Sequence, residues 1–406
     1  MRFVAIADSD SYLKWAAAFL GALPGVTERE LILVETPVLP SEAQRSAALT
    51  VGGVDPEHLL CLPLPDVLAV LRRERPDAVL VALRGPVAAV LIRMIAELPV
   101  RPVIVTGLPG ISIPATRKAL AFRRQADLFV LHSRREIREF TGLSRENGWT
   151  HRFALATLPF VDERTGAVGD DLVFAAQAVV PRAREDREQL LGILLEAARA
   201  DLSRRVVIKV RAVAGERQTH DEHASFPELL DEARGAGVDI PSNLIVSTAP
   251  MSAALDSAQG LLTVSSTAAI EAIARGIPLI ALDTFGISDK LINPVFEASG
   301  LFGGQDAVVR REFRHPDPAW LADNYFHSVE GDDVAVQLQA LVAARKQGVL
   351  PAREPARRAG GKLRLAWDRK RAFGDADRTV SGAVALAVGT PARATVKAAR
   401  KVKRAL

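Results

Sequence analysis

Short apolar runs alternate with helix-period segments along most of this 406-residue chain. No other feature constrains the fold as strongly. Phe3–Ala7, Leu31–Val34, Leu59–Cys61, Ala78–Ala82, Val103–Val105 and Leu128–Leu131 have strand length and no polar face. Segments with helical spacing, such as Leu13–Leu20 and Ala88–Ala96, lie between them. Strands apolar on both faces and joined by helices belong to a parallel sheet covered on both sides. The pattern pauses at the charged stretch VDERTGAVGDD and then restarts. Strands are expected at Leu172–Ala176, Arg205–Val210, Asn243–Val246, Leu261–Val264 and Pro278–Leu282. Helices are expected at Glu185–Ala198, Phe226–Ala233, Leu291–Glu297 and Val334–Ala344, the last capping the second unit. The reading is α/β: two doubly wound, Rossmann-like domains, 1–160 and 171–344, facing a cleft, with a basic tail over 345–406.

Charge separates the tail from the rest. Residues 345–406 hold 17 Lys and Arg against 4 Asp and Glu, a net +13. The whole chain carries +4, so residues 1–344 carry −9. The tail therefore seeks polyanions, whatever the fold does. A solvated tail is one reading. An anionic membrane surface is a second, with Trp367, Phe373 and VSGAVALAV offering burial beside the charge. Nucleic acid is the weakest. Cys61 is the only cysteine, which excludes an internal disulfide and points to a reducing compartment. No signal peptide and no bilayer-length apolar run is visible. A cytoplasmic protein, peripheral at the inner face of the plasma membrane, is the expectation.

The segment VSSTAAIEAIARGIPLIAL, from Val264 to Leu282, carries the chemistry best. Ser265, Ser266 and Thr267 stand where a helix begins, and N–H groups and helix dipole there favour an anion. Glu271 lies one turn on, on the face of Thr267. Ser and Thr are also ordinary caps, so capping alone explains the same residues. Lys209 and Arg211 alternate at a predicted strand end, where two cations on one face could clamp a phosphate. His220 follows in a polar loop as a candidate acid. His220 and His223 have no third partner in view, so no metal site is expected. In the first domain, Asp8 and Asp10 follow the opening strand, and either carboxylate could be a general base. VTGLPGISIPATRKA offers a Gly/Pro loop that could approach a ligand, and His132 ends the sixth strand. P-loop, GxGxxG and GxSxG motifs are missing, which disfavours NTPases, dinucleotide enzymes and hydrolases.

Ser265-Ser266-Thr267, Glu271 and Arg275-Gly276-Ile277-Pro278 resemble the donor motif of nucleotide-sugar glycosyltransferases of GT-B architecture. The nearest likeness is to bacterial polysialyltransferases and capsule Kdo-type transferases. With ADSDSYLKWA, VTGLPGI, FAAQAVVPR and IKVRAVAGERQTH, residues 1–340 resemble an uncharacterised family assigned as glycosyltransferases. The resemblance implies a metal-independent glycosyltransferase with no cofactor beyond its nucleotide-sugar substrate. Ser265, Ser266, Thr267, Lys209 and Arg211 would hold the donor phosphate, and Glu271 a ribose or sugar hydroxyl. Asp10 or Asp8 would activate a glycan or lipid-linked acceptor of cell-surface polysaccharide or glycolipid synthesis. Related transferases carry His-Pro after the second strand of the donor domain, where this chain has Lys209-Val210-Arg211. That departure weighs against a CMP-linked donor and leaves UDP and GDP open. A nucleotide-sugar epimerase and a non-catalytic polysaccharide-assembly protein are the alternatives.

Overall fold

The computed structural model describes residues 1–159, 169–210, 224–353 and 360–390. The first unit contains β1 (Arg2–Ala7), α1 (Asp10–Ala22), β2 (Glu28–Val34), α2 (Glu42–Gly52), β3 (Leu59–Leu62), α3 (Leu64–Glu74), β4 (Ala78–Ala82), α4 (Gly85–Ala96), β5 (Val103–Gly107), α5 (Arg117–Phe122), β6 (Leu128–Leu131), α6 (Arg134–Glu146) and β7 (Phe153–Leu155). The second contains β8 (Asp171–Ala175), α7 (Arg184–Ala200), β9 (Val206–Lys209), α8 (Phe226–Gly235), β10 (Leu244–Ser247), α9 (Met251–Asp256), β11 (Ala258–Thr263), α10 (Ala268–Ala274), β12 (Leu279–Leu282) and β13 (Phe302–Gly303). Among the described residues five helices follow: α11 (Gln305–Val309), α12 (Pro318–Asp323), α13 (Val334–Lys346), α14 (Gly361–Phe373) and a last one over residues 380–390.

All strand pairs within the two sheets are parallel. The first sheet has the order β3-β2-β1-β4-β5-β6-β7 and the second β10-β9-β8-β11-β12-β13. This is the two-unit Rossmann-like architecture expected from the sequence. Side-chain alternation builds its layers. In β1, Phe3, Ala5 and Ala7 enter one apolar cluster, and Val4 and Ile6 enter the opposite one. In β8, Val173 and Ala175 join the cluster of Phe3, whereas Leu172 and Phe174 form the outer layer of the second unit. Apolar packing is therefore continuous from one unit to the other.

Each sheet reverses its order once, between β1 and β4 and between β8 and β11. Helices leave to opposite faces at such a point, which opens a crevice beyond the strands' carboxyl ends. These two switch points position the candidate site.

Three expectations change. The helix expected over Leu291–Glu297 is a turn and a short 3-10 segment, Pro294–Phe296. Ile292 has φ +57°, and Pro294 has no N–H to donate, so a continuous α-helix cannot form. Instead Asn293 orders the loop, accepting from Ser288 N at 3.0 Å and donating to Gly286 O at 2.9 Å. The helix beginning at Val334 packs on β5, β6 and β7 of the first sheet rather than capping the second. Asp333 at its start accepts from Leu155 N at 2.8 Å, and Gln337 donates to Phe153 O at 2.9 Å. Residues 360–390 are folded, not a loose tail. α14 packs on α4, with Ala372 and Phe373 in an outer apolar layer of the first unit. Trp367, read as a membrane contact, is buried with Ala366 and Ala385. Arg353 is bonded to the buried Asp127, Nε–Oδ1 2.7 Å. No described helix is long and apolar enough to cross a membrane.

Candidate functional site

The carboxyl edges of the two sheets meet. A Cβ added at Gly110, in the loop after β5, would lie 2.7 Å from Thr267 Oγ1, at the start of α10. Only glycine allows that approach. Lys14 of α1 donates to Glu271 of α10 at 3.0 Å, so a second contact crosses the seam. Further back, Arg135 donates to Pro294 O and Val295 O, and Arg138 pairs with Asp323 through two 2.6 Å bonds.

The switch point of the first unit is closed by charge. Asp8 follows β1 and has no exposed surface. Its Oδ1 accepts from Arg84 N at 3.1 Å, and its Oδ2 from Arg84 Nε at 2.9 Å. Burial pushes its pKa up, and the Arg84 guanidinium opposes that shift. A carboxylate so enclosed cannot meet an incoming hydroxyl. Of the two candidate bases Asp8 is therefore withdrawn, and its role is to join β1 to β4. Asp10, the first residue of α1, is partly exposed. It stands four residues before Lys14, hence on the helix face that meets the second unit.

His132 is also structural. It has no exposed surface and receives Trp15 Nε1 on its Nε2 at 2.8 Å. That bond leaves Nδ1 as the protonated nitrogen, which donates to Ala156 O at 2.8 Å. Burial lowers its pKa to about 4. Beneath it, Glu136 accepts from His132 N at 2.8 Å, Ser112 Oγ at 2.6 Å and Tyr325 Oη at 2.6 Å. Burial pushes the Glu136 carboxyl up in spite of these donors. Tyr325 comes from beyond the second sheet, so this buried carboxylate also ties the units together.

The switch point of the second unit is bridged by neutral groups. Gln177 follows β8, and its Oε1 accepts from Ser265 N at 3.0 Å. Its Nε2 donates to Ser265 Oγ at 3.3 Å. The fully buried Arg187 holds the Gln177 loop by donating to the carbonyls of Gln177, Ala178 and Pro181 at 3.2–3.3 Å. Its guanidinium lies 4.8 Å from the Phe226 ring centre. Gln177, Ser266 and Thr267 are all partly exposed. At the adjacent end of β12, Thr284 Oγ1 is buried without a hydrogen-bond partner among the described residues.

The hydroxyl cluster is partly committed to its own loop. Ser266 N donates to Thr263 Oγ1 at 2.9 Å, and Ser266 Oγ accepts from Ala268 N at 3.2 Å. Thr267 is the N-cap residue but makes no side-chain cap bond. Capping thus falls to Ser266, Ser265 is held by Gln177, and Thr267 lies at the seam. Glu271, expected on a ribose or sugar hydroxyl, is engaged by Lys14. Lys209 ends β9 buried, and its ammonium donates to Val210 O. Arg211 and His220 lie outside the described residues, as do Glu216 and His223. Among the described residues no group of three His, Cys, Asp or Glu could hold a metal ion.

Sequence reading missed Arg84, Gln177 and Arg187. The first two each stand two residues beyond a strand that flanks a switch point, β4 and β8. Once strand order is known, that placement is the signal.

A family model described as "Putative glycosyltransferase (DUF6716)" matches residues 3–341. No curated protein matches the chain. Among solved structures, the S. aureus MnaA–UDP co-structure is similar at 14% identity, covering 88% of this chain and 100% of that one, with a TM-score of 0.51. The Methanocaldococcus jannaschii UDP-GlcNAc 2-epimerase in complex with UDP-GlcNAc and UDP is 12% identical, covering 86% and 100%, with a TM-score of 0.52. A structure described as a "putative UDP-N-acetylglucosamine 2-epimerase from Listeria monocytogenes" is 13% identical, covering 86% and 96%, with a TM-score of 0.52. At such identities the likeness is one of fold.

Proposed function

Because the chain belongs to the DUF6716 glycosyltransferase family, we propose that it moves a sugar from a nucleotide-activated donor to a glycan or lipid-linked acceptor. The donor phosphates lie between the loops after β8 and β11. The observation that carries this reading is the second switch point. It is bridged by neutral groups and lined by the partly exposed Gln177, Ser266 and Thr267 beside the other unit. Neutral donors preorganised around a crevice suit a diphosphate that gains charge as it leaves. Lys209, at the end of β9, adds positive potential nearby.

Asp10 takes the proton from the acceptor hydroxyl. The hydroxyl oxygen forms a bond to the anomeric carbon, and the bond from that carbon to the donor phosphate oxygen breaks. The electron pair stays on the departing nucleotide. The step needs no cofactor and is proposed as metal-independent. Structures sharing the fold contain UDP and UDP-GlcNAc, which supports a uridine nucleotide among those left open. Cytoplasmic action at an anionic membrane surface, through the basic C-terminal segment, belongs to the same proposal.

Thermal-shift measurements with UDP-, GDP- and CMP-sugars test the donor site. Stabilisation by one nucleotide class, reduced in Ser266→Ala and Gln177→Ala, is expected. No shift with any nucleotide defeats the reading. Nucleotide-sugar epimerisation is the second reading, favoured by the UDP-GlcNAc 2-epimerases among fold relatives. An epimerase interconverts the nucleotide sugar alone, whereas a transferase makes a new glycosidic bond only when acceptor is added.

A further inference from the structure

The end of the described chain turns its apolar side outward. Residues 380–390 form a helix with no charged residue. Its start is fixed. Arg369 donates to Asp377 at 2.9 Å and to Ser381 Oγ at 2.9 Å, and Thr379 Oγ1 accepts from Gly382 N at 3.1 Å. The inner face is made of Gly382, Ala385 and Gly389. A Cβ added at Gly389 would lie 2.3 Å from Trp367 Cδ1, so only small residues can face α14. The large apolar residues are thereby turned to the other side. Val380, Val384 and Val388 recur every fourth position, on one stripe of the helix. They are 79%, 51% and 54% exposed. On α14, Leu363 is 46% exposed between the exposed Lys362 and Arg364.

We infer that this stripe docks on an anionic lipid surface, with the helix in the plane of the headgroups. The charge in sequence names the occupant. Thr390 leads directly into a segment holding Arg393, Lys397, Arg400, Lys401, Lys403 and Arg404 with no acidic residue. An uncharged apolar stripe flanked by cations matches a surface that offers acyl chains beneath negative headgroups. A second copy of the chain would bring the same cations against one another. Nucleic acid would leave the valines unburied. This sharpens the membrane location proposed above and rests on it. Trp367 and Phe373 serve folding, and the docking residues are valines.

Full-length protein is sedimented with vesicles of phosphatidylcholine and phosphatidylglycerol, and with phosphatidylcholine alone. Wild type binds the mixed vesicles and releases them as salt rises. Val384→Glu with Val388→Glu weakens binding at least about tenfold, because each glutamate must leave the acyl boundary and repels the headgroups. Both positions are exposed, so the melting temperature and the nucleotide thermal shift stay at wild-type values. Unchanged vesicle binding by the double variant overturns the inference. So does a lipid-free dimer that the same variant dissociates, or a wild-type chain that binds duplex DNA and ignores vesicles. Because donor binding is read separately, loss of the nucleotide shift alone points to the donor site and leaves docking standing.

Discussion

The two switch points occupy equivalent positions in their sheets, yet they are built from opposite materials. In the first unit a carboxylate and a guanidinium, Asp8 and Arg84, close the crevice, and Asp8 has no exposed surface. In the second an amide and a hydroxyl, Gln177 and Ser265, bridge the same gap and leave partly exposed polar groups beside it. An ion pair with a buried carboxylate is costly to break, because a ligand that displaced Arg84 would leave the Asp8 charge buried and unpaired. A neutral bridge can exchange a hydrogen bond for one to a phosphate at little cost. The fold thus provides two crevices, and under the proposed function side-chain chemistry keeps the second of them for the donor.

The sharpest way to break this contrast is to treat both bridges alike. Asp8→Ala should lower unfolding free energy by about 3 kcal/mol, since Arg84 loses its partner. Urea denaturation reads the change, and nucleotide binding by the folded fraction should persist. If Asp8→Ala matches wild-type stability, the first switch point is not a structural lock.

A pH series tests the sealed edge of the first unit next. His132 has a folded pKa of about 4, below its unfolded value of about 6.5. Between those values the unfolded chain binds the extra proton, so the stability held by neutral His132 is full above pH 6.5 and lost as pH falls towards 4. The difference amounts to about 3 kcal/mol. Comparing wild type with His132→Gln across this range isolates it. Parallel pH profiles would contradict the buried, neutral assignment.

Gly110→Ala should cost about 2 kcal/mol by forcing a methyl group onto Thr267. Adding Thr267→Ala removes the two atoms in closest conflict and leaves only Cβ, at 3.5 Å. The double variant should therefore recover most of the loss, and a double-mutant cycle measures the coupling. Additive costs would mean that the seam does not close as described. Gln177→Ala should cost about 1 kcal/mol in stability but more in nucleotide affinity. Lys14→Ala is the mildest, at about 0.5 kcal/mol, because its ion pair with Glu271 is partly solvated.

Eleven of the thirteen strands were legible because buried parallel strands are contiguous apolar runs, and their bounds mostly differ from expectation by a residue or two; the short edge strands β7 and β13 offered no such run. What escaped were pairings distant in sequence. Arg84 in LRGP and Gln177 in AAQA look unremarkable until the strand order places them opposite Asp8 and Ser265, 76 and 88 residues away. Glu271 was read as a ligand contact because its partner sits in the other unit, 257 residues distant. For Trp367 and Phe373 the sequence leaves a solvated tail and a membrane contact open, because apolar residues among cations fit both a surface and a docked helix. Tertiary packing chose the docked helix. Of the hydroxyls in the Val264–Leu282 segment, Ser266 caps α10, Ser265 is held by Gln177 and Thr267 lies at the seam, a division of roles that spacing cannot reveal.

Hydrogen–deuterium exchange with and without the stabilising nucleotide tests the central claim most directly. The account predicts protection in peptides spanning Gln177 and Val264–Ala268, with the Asp8 and Arg84 peptides unchanged because their crevice is already closed. Protection centred on Asp8 and Arg84, with none after β8 and β11, would contradict it.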